Sequence, residues 1–239
     1  HPKQNDIEAG SLVSENGLAL AKRRAAKKGI IKGDDLARGF AWLRPNDLIW
    51  NYVINNYLLG QDPPAFDVLF WNADATNLSA SLMGDFLTIF ETLAFTKTGE
   101  VEMVDHKIDL SKVASDLFVL GGVTDHITPW KATYRSTRLF GSKDVTYVLS
   151  HSGHMQAILN PPGNPKAKYY IPKDGNDTLP KTADEWLKGA EEVAGSWWPC
   201  WMGWLQARAG KKKKAPAKLG NKNYTPLDPA PGLYVMEPC

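Results

Sequence analysis

The sequence predicts an α/β fold in which a largely parallel sheet carries polar loops at the carboxyl ends of its strands. Three observations within residues 116–156 lead there. Leu117 to Leu120 is a short apolar run closed by Gly121 and Gly122, too brief for a helix and suited to a strand buried on both faces. Pro129 opens a stretch in which Trp130, Tyr134, Leu139 and Phe140 make one apolar helical face, with Thr128 placed to cap it. Val145 to Leu149 is a second strand-like run, ending in Ser150, His151, Ser152, Gly153 and His154. Strand, helix, strand is the connection that parallel pairing requires.

The other elements follow in chain order. Residues 1–33 are polar and helix-prone, and the basic group Lys22, Arg23, Arg24, Lys27 and Lys28 reads as a solvated helix face. Asp34 or Asp35 is expected to cap a short helix running through Phe40 to Leu43, and Pro45 ends it. Asn46 or Asp47 then caps a helix bearing Leu48, Tyr52, Ile54 and Leu58, stopped by Gly60. After the turn at Gln61, Asp62, Pro63 and Pro64, residues 65–71 are β-prone, and residues 72–77 form a polar loop. Residues 79–94 place Leu82, Phe86, Ile89, Phe90 and Leu93 on one helical face. Residues 101–108 suggest a hairpin. Beyond His154, the prolines of residues 160–165 forbid regular structure. Thr182 and Glu185 have the spacing of a capping box, and Trp197, Trp201 and Trp204 form a stripe suited to packing on the sheet. Lys211 to Lys214 is a solvated helix end, and the proline-rich tail after Pro216 is expected to be extended.

Composition narrows the function classes. With 239 residues the chain can bury a sizeable core as one large domain or two small ones. Its 28 basic residues are balanced by 26 acidic ones, so the net charge of +2 argues for no nucleic-acid partner. Cys200 and Cys239 alone make no disulfide framework, which fits a reducing, cytoplasmic compartment. No signal peptide and no transmembrane segment is legible. Nine tryptophans point to an aromatic core or to a surface that receives something apolar. His1, His106, His126, His151 and His154 show no metal-ligand spacing, and there is no phosphate-binding glycine loop. A chain opening on His1 without a methionine is expected to be truncated.

The chemistry rests on two residues. Asp125 follows the first strand of the central unit and His154 the second, so both leave the carboxyl ends of neighbouring strands, where open α/β sheets place ligands. An acid followed by a histidine in this frame is similar to the last two members of an α/β-hydrolase triad, whose order is nucleophile, acid, base. There, imidazole takes the proton of the nucleophile, and the carboxylate fixes its tautomer and stabilises the imidazolium. His126 and His151 flank the pair and are read as loop residues without a catalytic role.

Six strings then carry a more specific resemblance. They are residues 43–52 (LRPNDLIWNY), 70–77 (FWNADATN), 124–130 (TDHITPW), 152–154 (SGH), 159–162 (LNPP) and 195–199 (GSWWP). In that order they resemble the carboxyl-terminal part of polyhydroxyalkanoate synthases, most nearly the class I enzymes, over residues 33–235. The resemblance implies the carboxyl-terminal part of an α/β-hydrolase fold with part of a cap (lid) subdomain. Residues 1–33 would be a helical lead-in, 34–108 the cap side, 109–210 the core with the Asp and His loops, and 211–239 a basic and proline-rich tail. It implies polymerisation of (R)-3-hydroxyacyl-CoA with release of CoA at the surface of cytoplasmic polyester granules, by a homodimer when complete, and no cofactor. His154 matches the catalytic histidine that deprotonates a cysteine. Asp125 matches the catalytic aspartate, which assists His154 or activates the 3-hydroxyl that attacks the thioester during elongation. Trp71, in the cap-side strings, would wall the substrate route.

One departure limits that reading. No Gly-x-Cys-x-Gly box occurs in the sequence, and neither Cys200, in a tryptophan-rich helix start, nor Cys239, the final residue, stands where the resemblance puts a nucleophile. The expectation is a carboxyl-terminal fragment that is inactive alone. Two other readings stand beside it: an esterase, thioesterase or depolymerase that uses the same Asp125 and His154 with a serine nucleophile, and a non-catalytic granule-binding or dimerisation piece that uses its tryptophan-rich surfaces.

Overall fold

A computed structural model of the protein describes residues 15–43, 45–63, 75–173, 179–233 and 236–237. The chain forms two compact units, one built on Leu18–Phe86 and the other on Leu87–Lys211. The expected strand at residues 65–71, with Trp71, lies outside the described residues.

In the unit built on Leu18–Phe86, helix α1 (Glu15–Lys28) carries Lys27 and Lys28 in its last turn, where positive charge complements the carbonyl end of the helix dipole. Gly29 ends it at φ +76°, the left-handed conformation glycine adopts most readily, and its N–H donates to the Ala25 carbonyl at 3.0 Å. Strand β1 (Ile30–Ile31) pairs antiparallel with β2 (Leu78–Ser79). Helix α2 (Gly33–Leu43) differs in its start from expectation. Asp34 and Asp35 lie in its first turn, where acidic side chains favour the dipole, and the Gly33 N–H is satisfied by Asn77 Oδ1 at 3.0 Å. The next segment is wound as π-helix over Asn46–Trp50 and Val53–Leu58, with i→i+5 bonds from Asn51 N–H to the Asn46 carbonyl and from Leu59 N–H to the Ile54 carbonyl. Pro45 precedes it and no side chain caps it, so the predicted Asn46 or Asp47 cap is corrected. Helix α3 (Ala80–Thr92) follows.

The unit built on Leu87–Lys211 holds the sheet. Strands β3 (Glu102–Met103) and β4 (His106–Lys107) form the expected hairpin, turning through Val104 and Asp105 at φ 49° and 62°, as a two-residue turn requires. Strand β5 (Leu117–Gly122) is followed by α4 (Trp130–Ser136), continued as a 3-10 turn to Leu139, and by β6 (Val145–Ser150). The two strands are parallel, with Leu117 opposite Val145 and Gly122 opposite Ser150. Helix α5 (His154–Leu159) starts four residues after β6. Strand β7 (Lys168–Pro172), helix α6 (Ala183–Gly189), strand β8 (Ala190–Ala194) and helix α7 (Trp198–Arg208) complete the order. The sheet runs β5-β6-β7-β8, and both later pairings are antiparallel. These last two strands were not predicted: β8 is Ala-Glu-Glu-Val-Ala, a helix-favouring composition, and takes its conformation from pairing with β7.

Alternation along β6 fills both faces. Tyr147 and Leu149 meet Tyr134 of α4 and Trp186 of α6 on one side, with Tyr147 edge-on to both rings at 5.0 and 4.9 Å. Val148 on the other side meets Tyr169 and Trp197, with Phe118 and Leu120 against them. Two members of the tryptophan stripe pack on the sheet as expected, the rings of Trp197 and Trp204 lying 6.2 and 5.8 Å from Phe118, whereas Trp201 is exposed and its ring meets only that of Trp197, at 5.9 Å, among the described residues. The Thr182–Glu185 capping box is present with both reciprocal hydrogen bonds.

Candidate active site

The two loops at the carboxyl ends of β5 and β6 are tied together by backbone bonds that continue past the strands. Val123 N–H donates to the Ser150 carbonyl at 2.9 Å, and Thr124 N–H to the Ser152 carbonyl at 3.2 Å. Gly122 makes the close approach possible. A Cβ there would stand 2.9 Å from both the Ala157 Cβ and the Ser152 carbonyl oxygen, and 3.3 Å from the Asp125 Cβ. Helix α5 therefore rests on the end of β5, with Ala157 buried against it.

This seating brings Asp125 and His154 together. His154 Nδ1 lies 2.9 Å from Asp125 Oδ2 and 3.1 Å from Oδ1. The acid is held further by its own loop. Oδ1 accepts from the N–H groups of Ile127 (2.9 Å) and Thr128 (2.8 Å), and Oδ2 from the Thr128 hydroxyl at 2.7 Å. Burial is the largest single influence on this carboxyl and raises its pKa. The bonds from Thr128, His154 and Ile127 together outweigh it, leaving the pKa below the ordinary carboxylate value. An ionised carboxylate has no proton to give, so Nδ1 is the donor of this hydrogen bond, and whenever the imidazole is neutral its lone pair is on Nε2. The Asp125 side chain is 6% exposed and that of His154 38%, and Nε2 has no hydrogen-bond partner among the described residues. A buried anion orienting a half-open imidazole is an arrangement that can take a proton from a group placed against Nε2.

Thr128 corrects one expectation. Helix α4 begins at Trp130 with Pro129 before it and no side-chain cap, and Thr128 spends its hydroxyl on Asp125. The readable signal was an aspartate followed by a threonine three positions on, the spacing of a local side-chain-to-backbone turn. His151 is exposed, its ring 6.5 Å from that of Tyr170. Among the described residues, neither it nor His126 hydrogen-bonds to the pair. No three His, Cys, Asp or Glu side chains cluster to hold a metal ion among the described residues.

Cys200 is half-buried in α7 beside the Val148, Tyr169 and Trp197 cluster. Burial pushes its thiol pKa up, the reverse of what an activated nucleophile needs. Cys239 and Trp71 lie outside the described residues.

A family model described as the alpha/beta hydrolase fold matches residues 4–161. Over 228 residues the chain is 50% identical to "Poly(3-hydroxyalkanoate) polymerase 2" of Ectopseudomonas oleovorans, covering 95% of this chain and 40% of that protein. It is 47% identical over 232 residues to "Poly(3-hydroxyalkanoate) polymerase 1" of the same organism, covering 97% and 41%. It is 42% identical over 207 residues to "Poly(3-hydroxyalkanoate) polymerase subunit PhaC" of Cupriavidus necator, covering 86% and 34%. The chain thus spans 34–41% of the length of these relatives.

Proposed function

The chain belongs to the α/β-hydrolase fold family, and on that premise we propose that it supplies the acid and base of a polyester synthase that joins (R)-3-hydroxyacyl groups from their CoA thioesters. The observation that carries the reading is the Asp125–His154 hydrogen bond at 2.9 Å, on a half-exposed imidazole whose Nε2 has no hydrogen-bond partner among the described residues. The likeness of 42–50% to proteins named as poly(3-hydroxyalkanoate) polymerases supports the choice of reaction.

In this reading a cysteine thiol contributed from outside these 239 residues gives its proton to His154 Nε2. The thiolate attacks the acyl carbonyl, the carbon–sulfur bond to CoA breaks, and the imidazolium returns the proton to the departing CoA thiolate. The same nitrogen then takes the proton of a 3-hydroxyl as that oxygen attacks the enzyme thioester, forming the ester and freeing the thiol. Asp125 serves His154 throughout rather than the substrate hydroxyl. What supports this is that its two oxygens already accept from Ile127, Thr128 and His154. Cys200 stays outside the chemistry. Trp71 enters as a substrate-binding residue on the strength of the resemblance alone, as do assembly into a homodimer, a cytoplasmic location and residence at the surface of polyester granules. Among the described residues no helix is long and apolar enough to cross a membrane.

The test is a graft. Residues 1–239 replace the matching segment of poly(3-hydroxyalkanoate) polymerase 2 of Ectopseudomonas oleovorans, and the product of (R)-3-hydroxybutyryl-CoA is analysed. CoA release with insoluble polyester supports the synthase. CoA release with free hydroxy acid alone converts the reading to a thioesterase, and a folded, granule-bound graft without CoA release leaves only a binding role.

A further inference from the structure

The carbonyls of the last turn of a helix have no partner within it, and in a helix as short as α5 that end is a large part of the whole. Three of these carbonyls, at the end opposite His154, are met by side chains from one tripeptide. Trp197 Nε1 donates to the Ala157 carbonyl at 2.8 Å, Trp198 Nε1 to the Ile158 carbonyl at 3.1 Å, and the Ser196 hydroxyl to the Asn160 carbonyl at 2.6 Å. The tripeptide is itself fixed. Gly195 turns at φ +104° out of β8 and donates its N–H to the Ala167 carbonyl at 2.7 Å. The Trp197 ring is buried against Val148 and Tyr169, and the Ser196 hydroxyl also accepts the Trp198 N–H at 3.1 Å.

The other restraint on α5 is steric. Ala157 lies against Gly122, where even one added carbon would be too close, so the helix cannot move further towards the strand. Gly122 bounds the helix from below, and the tripeptide holds its far end. His154 is the first residue of that six-residue helix, one turn from Ala157.

We infer that Ser196, Trp197 and Trp198 are positioning residues that hold the Asp125–His154 hydrogen bond by fixing the carbonyl end of the helix that begins with His154. The part they play rests on the proposed role of His154, but their effect on the hydrogen bond does not. Their bonds reach His154 only through the helix, so none of the three touches the reacting atoms.

The test reads solvent exchange of the His154 Nδ1 proton by NMR in the folded 239-residue chain, with no substrate present. Ser196→Ala and Trp197→Phe each remove one donor and keep most of the bulk. Loss of one hydrogen bond corresponds to exchange about fivefold faster, and the two together to about 25-fold. Ser196→Thr retains the hydroxyl and restores the original rate. Should Trp197→Phe lower folding, Trp198→Phe replaces it, since that bond lies at the exposed side. Original exchange rates in folded Ser196→Ala and Trp198→Phe chains overturn the inference. In the graft described above, the same variants lower kcat with KM unchanged. A graft without polymerase activity but with accelerated exchange refutes the proposed function and leaves the positioning role standing.

Discussion

Gly122→Ala is the substitution for which the structure sets the largest local consequence. The new carbon would meet the Ala157 Cβ and the Ser152 carbonyl oxygen at 2.9 Å each. Ordinary carbon contacts lie at about 3.5–4.0 Å, so α5 must retreat by roughly 0.6–1.1 Å. Overpacking of this kind costs about 1–3 kcal/mol, and at about 2–4 °C per kcal/mol the melting temperature should fall by roughly 2–12 °C. The same retreat carries His154 away from Asp125. A 2.9 Å bond lengthened by that amount leaves the hydrogen-bonding range, and a misplacement of about 1 Å in a reacting group lowers turnover by about 10²-fold. Gly153→Ala is the control. Among the described residues its added carbon would find only Thr124, at 3.6 and 3.7 Å, and its φ of −81° suits any residue, so the cost should be no more than the ~0.5–1 kcal/mol of putting alanine at a helix N-cap, with turnover close to the original. Thermal melts followed by circular dichroism, with turnover of the grafted enzyme, check both. A Gly122→Ala protein that melts with the original and keeps its activity refutes the idea that the glycine seats the histidine helix.

Other outcomes follow from the same geometry. Cys200 should resist alkylation at neutral pH in the folded chain and react on denaturation, and Cys200→Ser should leave graft turnover intact; rapid labelling with loss of activity would reopen its candidacy as nucleophile. Asp125 has its pKa lowered in the folded state, so its stabilising contribution is fully present above the unfolded carboxylate value of about 3.9 and is lost as pH falls through the lower folded value. Urea titrations should accordingly show the gap between the original and Asp125→Asn closing on the acid side of about pH 4, and a gap that widens there contradicts the assignment. Thr182→Ala removes one half of the capping box and should cost about 1 kcal/mol by the same titrations.

How much of this was legible without coordinates depended on whether the signal was local. The strands at 117–122 and 145–150 showed themselves through apolar runs bounded by glycine and polar loops, and the Thr182–Glu185 box through a fixed spacing. The meeting of Asp125 and His154 followed from parallel pairing, which sets two strand ends side by side. The strand at 190–194 was hidden because its alanine and glutamate content favours helix, and only the neighbouring strand decides otherwise. Thr128 was assigned to a cap because a threonine before Pro129 fits that role too, and the competing demand came from the folded Asp125 loop. The π-helical winding at 46–58 carries no pattern distinct from an α-helix of the same apolar content. The clamp of residues 196–198 on the histidine helix joins positions about 40 apart, a contact that composition and spacing do not register.

The most direct measurement is the rate of CoA release from (R)-3-hydroxybutyryl-CoA by the graft with and without His154→Ala. Loss of a general base lowers turnover by about 10²–10⁴-fold, and that fall is the expected result in a protein whose melt is otherwise unchanged. A His154→Ala protein that releases CoA and builds polyester at the original rate contradicts the account at its centre.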